Sequence, residues 1–388
     1  MFDPLIAFIR DQYQTNDPIP LHAPTFGGNE RIYVDETITS TFVSSVGRFV
    51  DRFEADMASY TGSPRAVAVM NGTAGLHMAL MLAGVARDEY VITQALTFVA
   101  TCNAISYCGA TPIFVDVDHD TMGLSPTALE AWLEQHADQS DDGLCRYKAD
   151  GKVIRACVPM HSFGHPVHLH ELVRVCKTWG LVLVEDAAES LGSTYHGQHT
   201  GTFGAIGVAS FNGNKTITTG GGGMILCSEA LGNRAKHLTT TAKKPHSFEY
   251  VHDAVGYNFR MPNLNAALGC AQLEQLPGFV AAKRALAAAY RSFFADSSLS
   301  FFSEPSGCES NYWLNAVICS DRAERDRMLE ATNSAGIMTR PIWALMTRLP
   351  MYDTAPRSDE LTQSNWFEDR VVNLPSSVIP GLIPDKAP

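Results

Sequence analysis

What the sequence lacks narrows its function first. None of its apolar runs approaches the ~20 residues that a bilayer-spanning helix needs, so no membrane segment is expected. The opening string MFDPLIAFIRDQYQ carries no basic stretch followed by an apolar core and a small-residue cleavage site. That predicts no signal peptide and a cytoplasmic location. Basic residues are in deficit: 29 Lys plus Arg stand against 41 Asp plus Glu, a net charge of −12. A general nucleic-acid binder needs a basic face, which this balance opposes. A small anionic ligand is not excluded, because local groups decide its binding. The 9 cysteines include no C-x-x-C pair, which favours reduced, buried thiols over a disulfide frame or a zinc site. Neither G-x-G-x-x-G nor G-x-x-x-x-G-K-[ST] occurs, so a dinucleotide dehydrogenase and a P-loop enzyme lack their phosphate-binding glycines.

What is present reads as an ordinary globular chain of 388 residues, 45% hydrophobic and 18% charged. From about residue 50 to 230, helical segments alternate with short apolar runs. Strands are expected at 66–70, 90–93, 112–117, 153–159 and 181–184. Helices are expected at 53–60, 74–82, 98–108, 126–135 and 168–179. This alternation predicts βαβ units, a mostly parallel central sheet covered by helices, and a site beyond the carboxyl ends of its strands. Residues 136–152 are polar and read as an exposed loop. A long helix is expected over 264–294, interrupted near Pro277-Gly278. A further strand-like run at 312–318 and a helix at 323–335 complete a smaller α+β domain. The division is placed at 1–255, a large domain with an N-terminal arm, and 256–388. The tail GLIPDKAP is expected to fray.

Several strings carry chemistry. In Ser210-Phe-Asn-Gly-Asn-Lys215-Thr-Ile-Thr-Thr-Gly220-Gly-Gly-Gly223, one lysine precedes four glycines. A lysine in a partly desolvated pocket becomes an amine nucleophile toward carbonyls; alone, the string reads first as an exposed lysine beside a flexible turn. In Val182-Leu-Val-Glu185-Asp186-Ala-Ala-Glu189, an apolar strand runs into carboxylates. Asp186 there is placed to hold a cationic ring nitrogen, or merely to cap the next turn. Asn71-Gly72-Thr73-Ala74 is a strand-to-helix turn whose N–H groups suit a phosphate. Phe98 follows a strand and suits stacking on a flat ring, or the core. The stretch His161-Ser-Phe-Gly-His165-Pro-Val-His168-Leu-His170 fits no zinc spacing, and Pro166 breaks any helix that would align it, so no metal is expected.

Together, and in this order, these pieces resemble the fold-type I pyridoxal-phosphate (PLP) enzymes, and among them the DegT/StrS nucleotide-sugar aminotransferases. The resemblance runs from about Asn29 to Pro375. It includes Val50-Asp-Arg-Phe53-Glu54, Phe114-Val-Asp116-Val-Asp118, His161-Ser-Phe-Gly164, Glu185-Asp186-Ala-Ala188 and Gly256-Tyr-Asn258-Phe-Arg260-Met261. The resemblance implies that Lys215 binds PLP covalently and moves the substrate proton, and that Asp186 keeps the ring nitrogen protonated. It implies that Phe98 stacks on the ring, that Gly72, Thr73, Ala74 and Ser210 hold the phosphate, and that Glu189, at a position usually Gln, lies near the ring hydroxyl. Asn258 is implied to reach the phosphate of a partner subunit, hence a homodimer with a shared active site. The run Gly220–Gly223 replaces the frequent Gly-Glu-Gly-Gly. Dehydratases of the family carry histidine at the lysine position, so Lys215 speaks for amine transfer.

Further strings, among them Ser162-Phe-Gly-His-Pro166, Asn311-Tyr-Trp313 and Gly336-Ile-Met-Thr-Arg340-Pro341, are similar to the legionaminic- and bacillosamine-pathway branch. That similarity implies transfer of the L-glutamate amino group to UDP-4-keto-6-deoxy-N-acetylglucosamine by a ping-pong mechanism. Arg260 and Arg340 are candidates for glutamate carboxylates or the sugar diphosphate, and His161 for the sugar pocket. The alternatives are another keto nucleotide sugar, dTDP- or GDP-linked, or a PLP-fold regulatory protein without turnover.

Overall fold

Alternating apolar residues give each central strand two faces to bury, and helices cover both. In the computed structural model, which describes residues 2–384, nine strands form the central sheet. They are β1 (Arg65–Val69), β2 (Tyr90–Gln94), β3 (Thr111–Val115), β4 (Ala137–Gln139), β5 (Cys145–Tyr147), β6 (Val153–Val158), β7 (Val182–Asp186), β10 (Ile206–Ser210) and β11 (Gly223–Cys227). The order is β1-β11-β10-β7-β6-β2-β3, with β4 and β5 hanging from β6. From β10 to β3 the neighbours are parallel, and β11 runs antiparallel to both β1 and β10. All residues of β10 and β11 are buried, as a sheet covered on both sides requires.

The two faces of β1 show how the covering works. Ala66 and Ala68 pack with Phe49, Phe53 and Met57 of α3 (Arg48–Thr61) and with Cys270 and Leu276 of the long helix α9 (Asn263–Phe294). Val67 and Val69 point the other way, onto Leu76, Ala79 and Leu80 of α4 (Gly72–Leu82). Phe53 is fully buried, so truncating it to alanine removes about 3–5 kcal/mol. Helix α9 runs through Pro277 without interruption, contrary to the expected break. Leu273, Leu276, Gly278 and Phe279 are buried on both sides of the proline, and that packing offsets the ~3 kcal/mol such a residue costs.

A four-stranded sheet in the order β12 (Ser300–Phe301), β14 (Asn315–Ile318), β16 (Val371–Leu374), β15 (Arg340–Pro341) forms the smaller layer, with α10 (Arg322–Ser334) beside it. A small sheet of β13 (Cys308–Glu309), β8 (Thr194–Tyr195) and β9 (Gln198–His199) links it to the large layer. Helix α1 (Asp3–Tyr13) does not join the large layer. Its Leu5 and Ile9, with Ile19, pack on Leu286, Tyr290, Val317 and Met328. The N-terminal arm therefore completes the C-terminal core, a pairing that no division at residue 255 captures.

Two loop expectations change. Residues 136–152 contain the β4–β5 hairpin, whose β5 pairs with β6. Ala137, Cys145 and the partly buried Tyr147 face the core and the rest of the segment is polar, so the composition hid it. In the tail, Leu382 and Ile383 pack against the core rather than fray, and residues 385–388 lie outside the described residues. Among the described residues no helix is long and apolar enough to cross a membrane.

Candidate active site

Strand register assembles the site. Val69 lies opposite Gly223, Gly223 opposite Ser210, and Val208 level with Asp186. The carboxyl ends of β1, β7 and β10 thus meet the start of β11 at one place. Helix α4 begins there, directly after β1. Its N-cap is Asn71, whose side chain accepts from the Ala74 N–H at 2.8 Å. The N–H groups of Gly72 and Thr73 precede any intrahelical acceptor and sit at the positive end of the helix dipole.

Close approach explains the glycines. A Cβ on Gly72 would stand 2.9 Å from Ser210 Cβ, and one on Gly223 would stand 2.8 Å from the Asn71 carbonyl and 2.9 Å from the Gly72 nitrogen. The run after Lys215 is therefore a packing requirement at Gly223 rather than a loose turn. Gly223→Ala is expected to displace the start of α4, at about 1–3 kcal/mol of stability, and to weaken cofactor retention. Thermal unfolding and cofactor titration check both.

Asn71, Gly72, Thr73, Phe98, Asp186, Glu189, Ser210 and Lys215 line one cavity of about 260 Å³. Ala74 does not line it and contributes through the Asn71 cap. Asp186 is 2% exposed; its Oδ2 accepts from Thr101 Oγ1 at 2.7 Å and its Oδ1 from the Ala188 N–H at 3.2 Å. Burial pushes its carboxyl above the usual range, while Thr101, Ala188 and the Lys215 charge pull it back. Lys215 Nζ donates to Glu189 Oε1 at 3.2 Å and lies 3.9 Å from the centre of the Trp313 ring. Glu189 Oε2 accepts from the Phe163 N–H at 2.9 Å. Burial pushes Glu189 up to about 7 against the opposing pull of Lys215. Phe98, 46% exposed at the N-cap of α5 (Val99–Tyr107), has no core packing to fill and faces the cavity.

A groove of about 750 Å³ continues from the cavity, sharing Phe98, Glu189, Asn212 and Lys215, and adds His22, Phe163, Trp313, Arg340, Trp343 and Asn373. Arg340 thus lines the groove that also reaches Lys215. His161 does not. It is fully buried, its Nε2 is 3.2 Å from Glu185 Oε2 and its Nδ1 accepts from the Val167 N–H. Its role is to hold the Glu185 carboxylate, which also accepts from Gly201, Phe203 and Gly204. Expecting it in the sugar pocket is corrected on that ground. Asn258 and Arg260 line neither space within one chain; Asn258 Oδ1 accepts from Arg260 Nε at 3.0 Å. The other histidines diverge too: His165 is buried between Phe302 and Tyr312, and His168 pairs with Asp120 at 3.1 Å.

Sequence reasoning assigned no role to Thr101, Trp313 or Asn311. Asn311 Nδ2 donates to the Glu189 and Leu191 carbonyls, both at 2.9 Å, and fixes the Glu189 loop. Trp313 is 98 positions from Lys215, so no local pattern links them. Thr101 stands one helical turn after Thr97, with which it shares a hydrogen bond, and a threonine on that inward face was the available signal.

The donor set fits PLP. A buried carboxylate with two hydrogen bonds keeps capacity for a cationic ring nitrogen, the α4 N-terminus and Ser210 form a cradle that a Cβ would fill, and one amine enters the same cavity. Residues 24–385 match the DegT/DnrJ/EryC1/StrS aminotransferase family. The chain is 36% identical to GDP-perosamine synthase of Escherichia coli O157:H7 over 92% of its length and 93% of that protein. It is 34% identical to GDP-perosamine synthase of Vibrio cholerae over 95% and 96%. It superimposes on the aminotransferase TlmJ of Streptoalloteichus hindustanus with a TM-score of 0.83 at 28% identity, covering 92% and 93% of the two chains. With family, fold and site in agreement, the chain belongs to the DegT/DnrJ/EryC1/StrS family of PLP-dependent sugar aminotransferases.

Proposed function

We propose that this protein transfers the amino group of L-glutamate to the C4 ketone of a GDP-linked 4-keto-6-deoxy sugar. The observation that carries the chemistry is the single cavity into which Lys215, Asp186 and the α4 N-terminus converge. The nucleotide rests on the relatives. Two GDP-perosamine synthases match nearly the full chain at 36% and 34% identity, which favours GDP over the UDP-linked N-acetylglucosamine derivative that the shorter strings suggested.

Bound PLP supplies a carbonyl that takes up an amine and a protonated ring that draws electrons from the adjacent carbon. The chain supplies everything else. Asp186 would hold the positive ring nitrogen, and its burial would make that pairing strong. Gly72, Thr73 and Ser210 would hold the phosphate, and Phe98 would stack on the ring. Lys215 Nζ, held between Glu189 and Trp313, takes a proton from the donor carbon and returns one to the other side of the transfer. Glutamate is oxidised by two electrons and leaves as 2-oxoglutarate, its carbonyl oxygen coming from water; the nitrogen then replaces the ketone oxygen of the sugar, which departs as water, and C4 takes up the two electrons. Arg340, exposed on the groove, suits a carboxylate or diphosphate.

A homodimer completes the reading. Ile32 and Ile38 of α2 (Glu30–Thr39), then Phe42, Val46, Phe248, Tyr250 and Val255, are large apolar side chains left exposed. Such a surface supports burial against a second copy, which brings the partner's Asn258 toward the phosphate.

The test is spectroscopic. L-Glutamate alone should convert the visible absorbance of the holoenzyme to a near-ultraviolet band. GDP-linked 4-keto-6-deoxymannose should restore it at least about 100-fold faster than the UDP-linked keto sugar, a span two mismatched polar contacts provide. Faster restoration by the UDP-linked sugar would return the reading to the UDP branch.

A further inference from the structure

A second buried lysine lies beneath the groove and takes no part in the chemistry above. Lys283, on α9, is 1% exposed. Its Nζ meets three acceptors: the Ser376 carbonyl at 2.5 Å, the Trp313 carbonyl at 3.2 Å and His22 Nε2 at 3.0 Å. Burial pushes the ammonium down to about 7. While it keeps its proton, its three N–H bonds meet the three acceptors and it has no lone pair to offer. His22 Nε2 then accepts, and the proton of the neutral imidazole sits on Nδ1. Burial, Lys283 and Lys215 all oppose a second proton on this ring.

The ring is also held in place from its backbone. The Ser376 N–H donates to the Leu21 carbonyl at 2.7 Å, and the Ala23 N–H donates to Ser377 Oγ at 2.8 Å. His22 lines the groove that leads to Lys215, yet its Nδ1 is sealed with no partner in the protein. The Nδ2 atom of Asn373, another residue of that groove, is likewise buried and unpartnered. Buried donors without acceptors are costly, and two on one groove are retained where a ligand completes them. The exposed side chain of Met338 borders the same groove, and so does Arg340, whose Nη1 donates to Asn333 Oδ1 at 3.0 Å and to the Thr339 carbonyl at 2.9 Å.

We infer that His22, held as its Nδ1–H tautomer by Lys283, donates a hydrogen bond to an anionic oxygen of the substrate bound above Lys215. Asn373 supplies the second donor of this subsite, and Lys283 acts as a positioning residue. The anionic oxygen comes from the glutamate carboxylate or from the sugar diphosphate. The inference rests on the aminotransferase reading of the groove.

His22→Gln keeps an acceptor for Lys283 at the Nε2 position and removes the donor at Nδ1. The two half-reactions of the holoenzyme, one with L-glutamate and one with GDP-linked 4-keto-6-deoxymannose, are followed separately by absorbance. The half-saturating concentration in one of them should rise about tenfold, the weight of one charge-assisted hydrogen bond, with the limiting rate changed much less. A rise in the first arm assigns the carboxylate, and a rise in the second the diphosphate. Curves that superimpose on wild type in both arms overturn the inference while leaving the amine transfer intact. If wild type itself gives neither half-reaction, or the variant does not retain PLP, nitrogen NMR of the wild-type holoenzyme decides. A His22 proton on Nδ1 supports the donor, and one on Nε2 overturns it.

Discussion

Lys215→Ala should abolish turnover, with a loss of about 10⁴-fold or more, because one amine is asked both to hold the cofactor and to carry the proton. The variant should also lose covalent retention of PLP, so borohydride reduction should leave no cofactor attached after denaturation. The geometry offers no substitute. Within the 260 Å³ cavity the other titratable side chains are Asp186 and Glu189, both acids. Alanine there also strips Glu189 of its one cationic partner at 3.2 Å and leaves a buried carboxyl that burial already pushes up. Near-normal transamination by this variant would end the assignment of Lys215.

Asp186→Asn should lower kcat by about 10²–10³-fold, the range found when one preorganised electrostatic group is removed from a site. Asparagine can keep the Thr101 contact but cannot hold a positive ring nitrogen. The same change should stabilise the cofactor-free protein. A buried acid whose folded-state value lies above its unfolded value costs nothing below the unfolded value. Its cost grows as pH rises through the interval between the two and is full above it. At neutral pH the apoprotein therefore carries that cost, and PLP relieves it by supplying a cation. Thermal unfolding of apo and holo forms should show a smaller gap for Asp186→Asn than for wild type. An unchanged kcat, or an unchanged gap, would place the ring nitrogen elsewhere.

The two variants separate roles that the distances alone join. In the proposed reaction Lys215 acts on the substrate carbon, so its loss should appear in turnover and in the covalent link. Asp186 there acts on the ring, so its loss should leave the link in place and appear in kcat and in apo stability.

Local order along the chain determined a great deal here. In the parallel run, β2, β3, β6 and β7 were visible because a strand buried on both faces must be apolar throughout, and the helices between them because their neighbours were such strands, whereas β10 was not among the expected strands. Gly72, Asp186, Ser210 and Lys215 stood out because each lies at or just after a strand end, and a parallel sheet brings its strand ends together at one edge. The β4–β5 hairpin escaped because few of its residues, Ala137, Cys145 and Tyr147, face the core. The break expected at Pro277 ignored packing on both sides of the helix. His161 was misplaced because the string it stands in says where the backbone goes, not which way the ring turns. Only the tertiary structure decided that Trp313 lies over Lys215, that the N-terminal arm carries His22 into the groove, and that Lys283 meets the His22 ring there. These contacts join segments 98 to 261 residues apart. Side-chain periodicity is a property of neighbours in sequence, and it carries no information about which distant surfaces the closing of the core will press together.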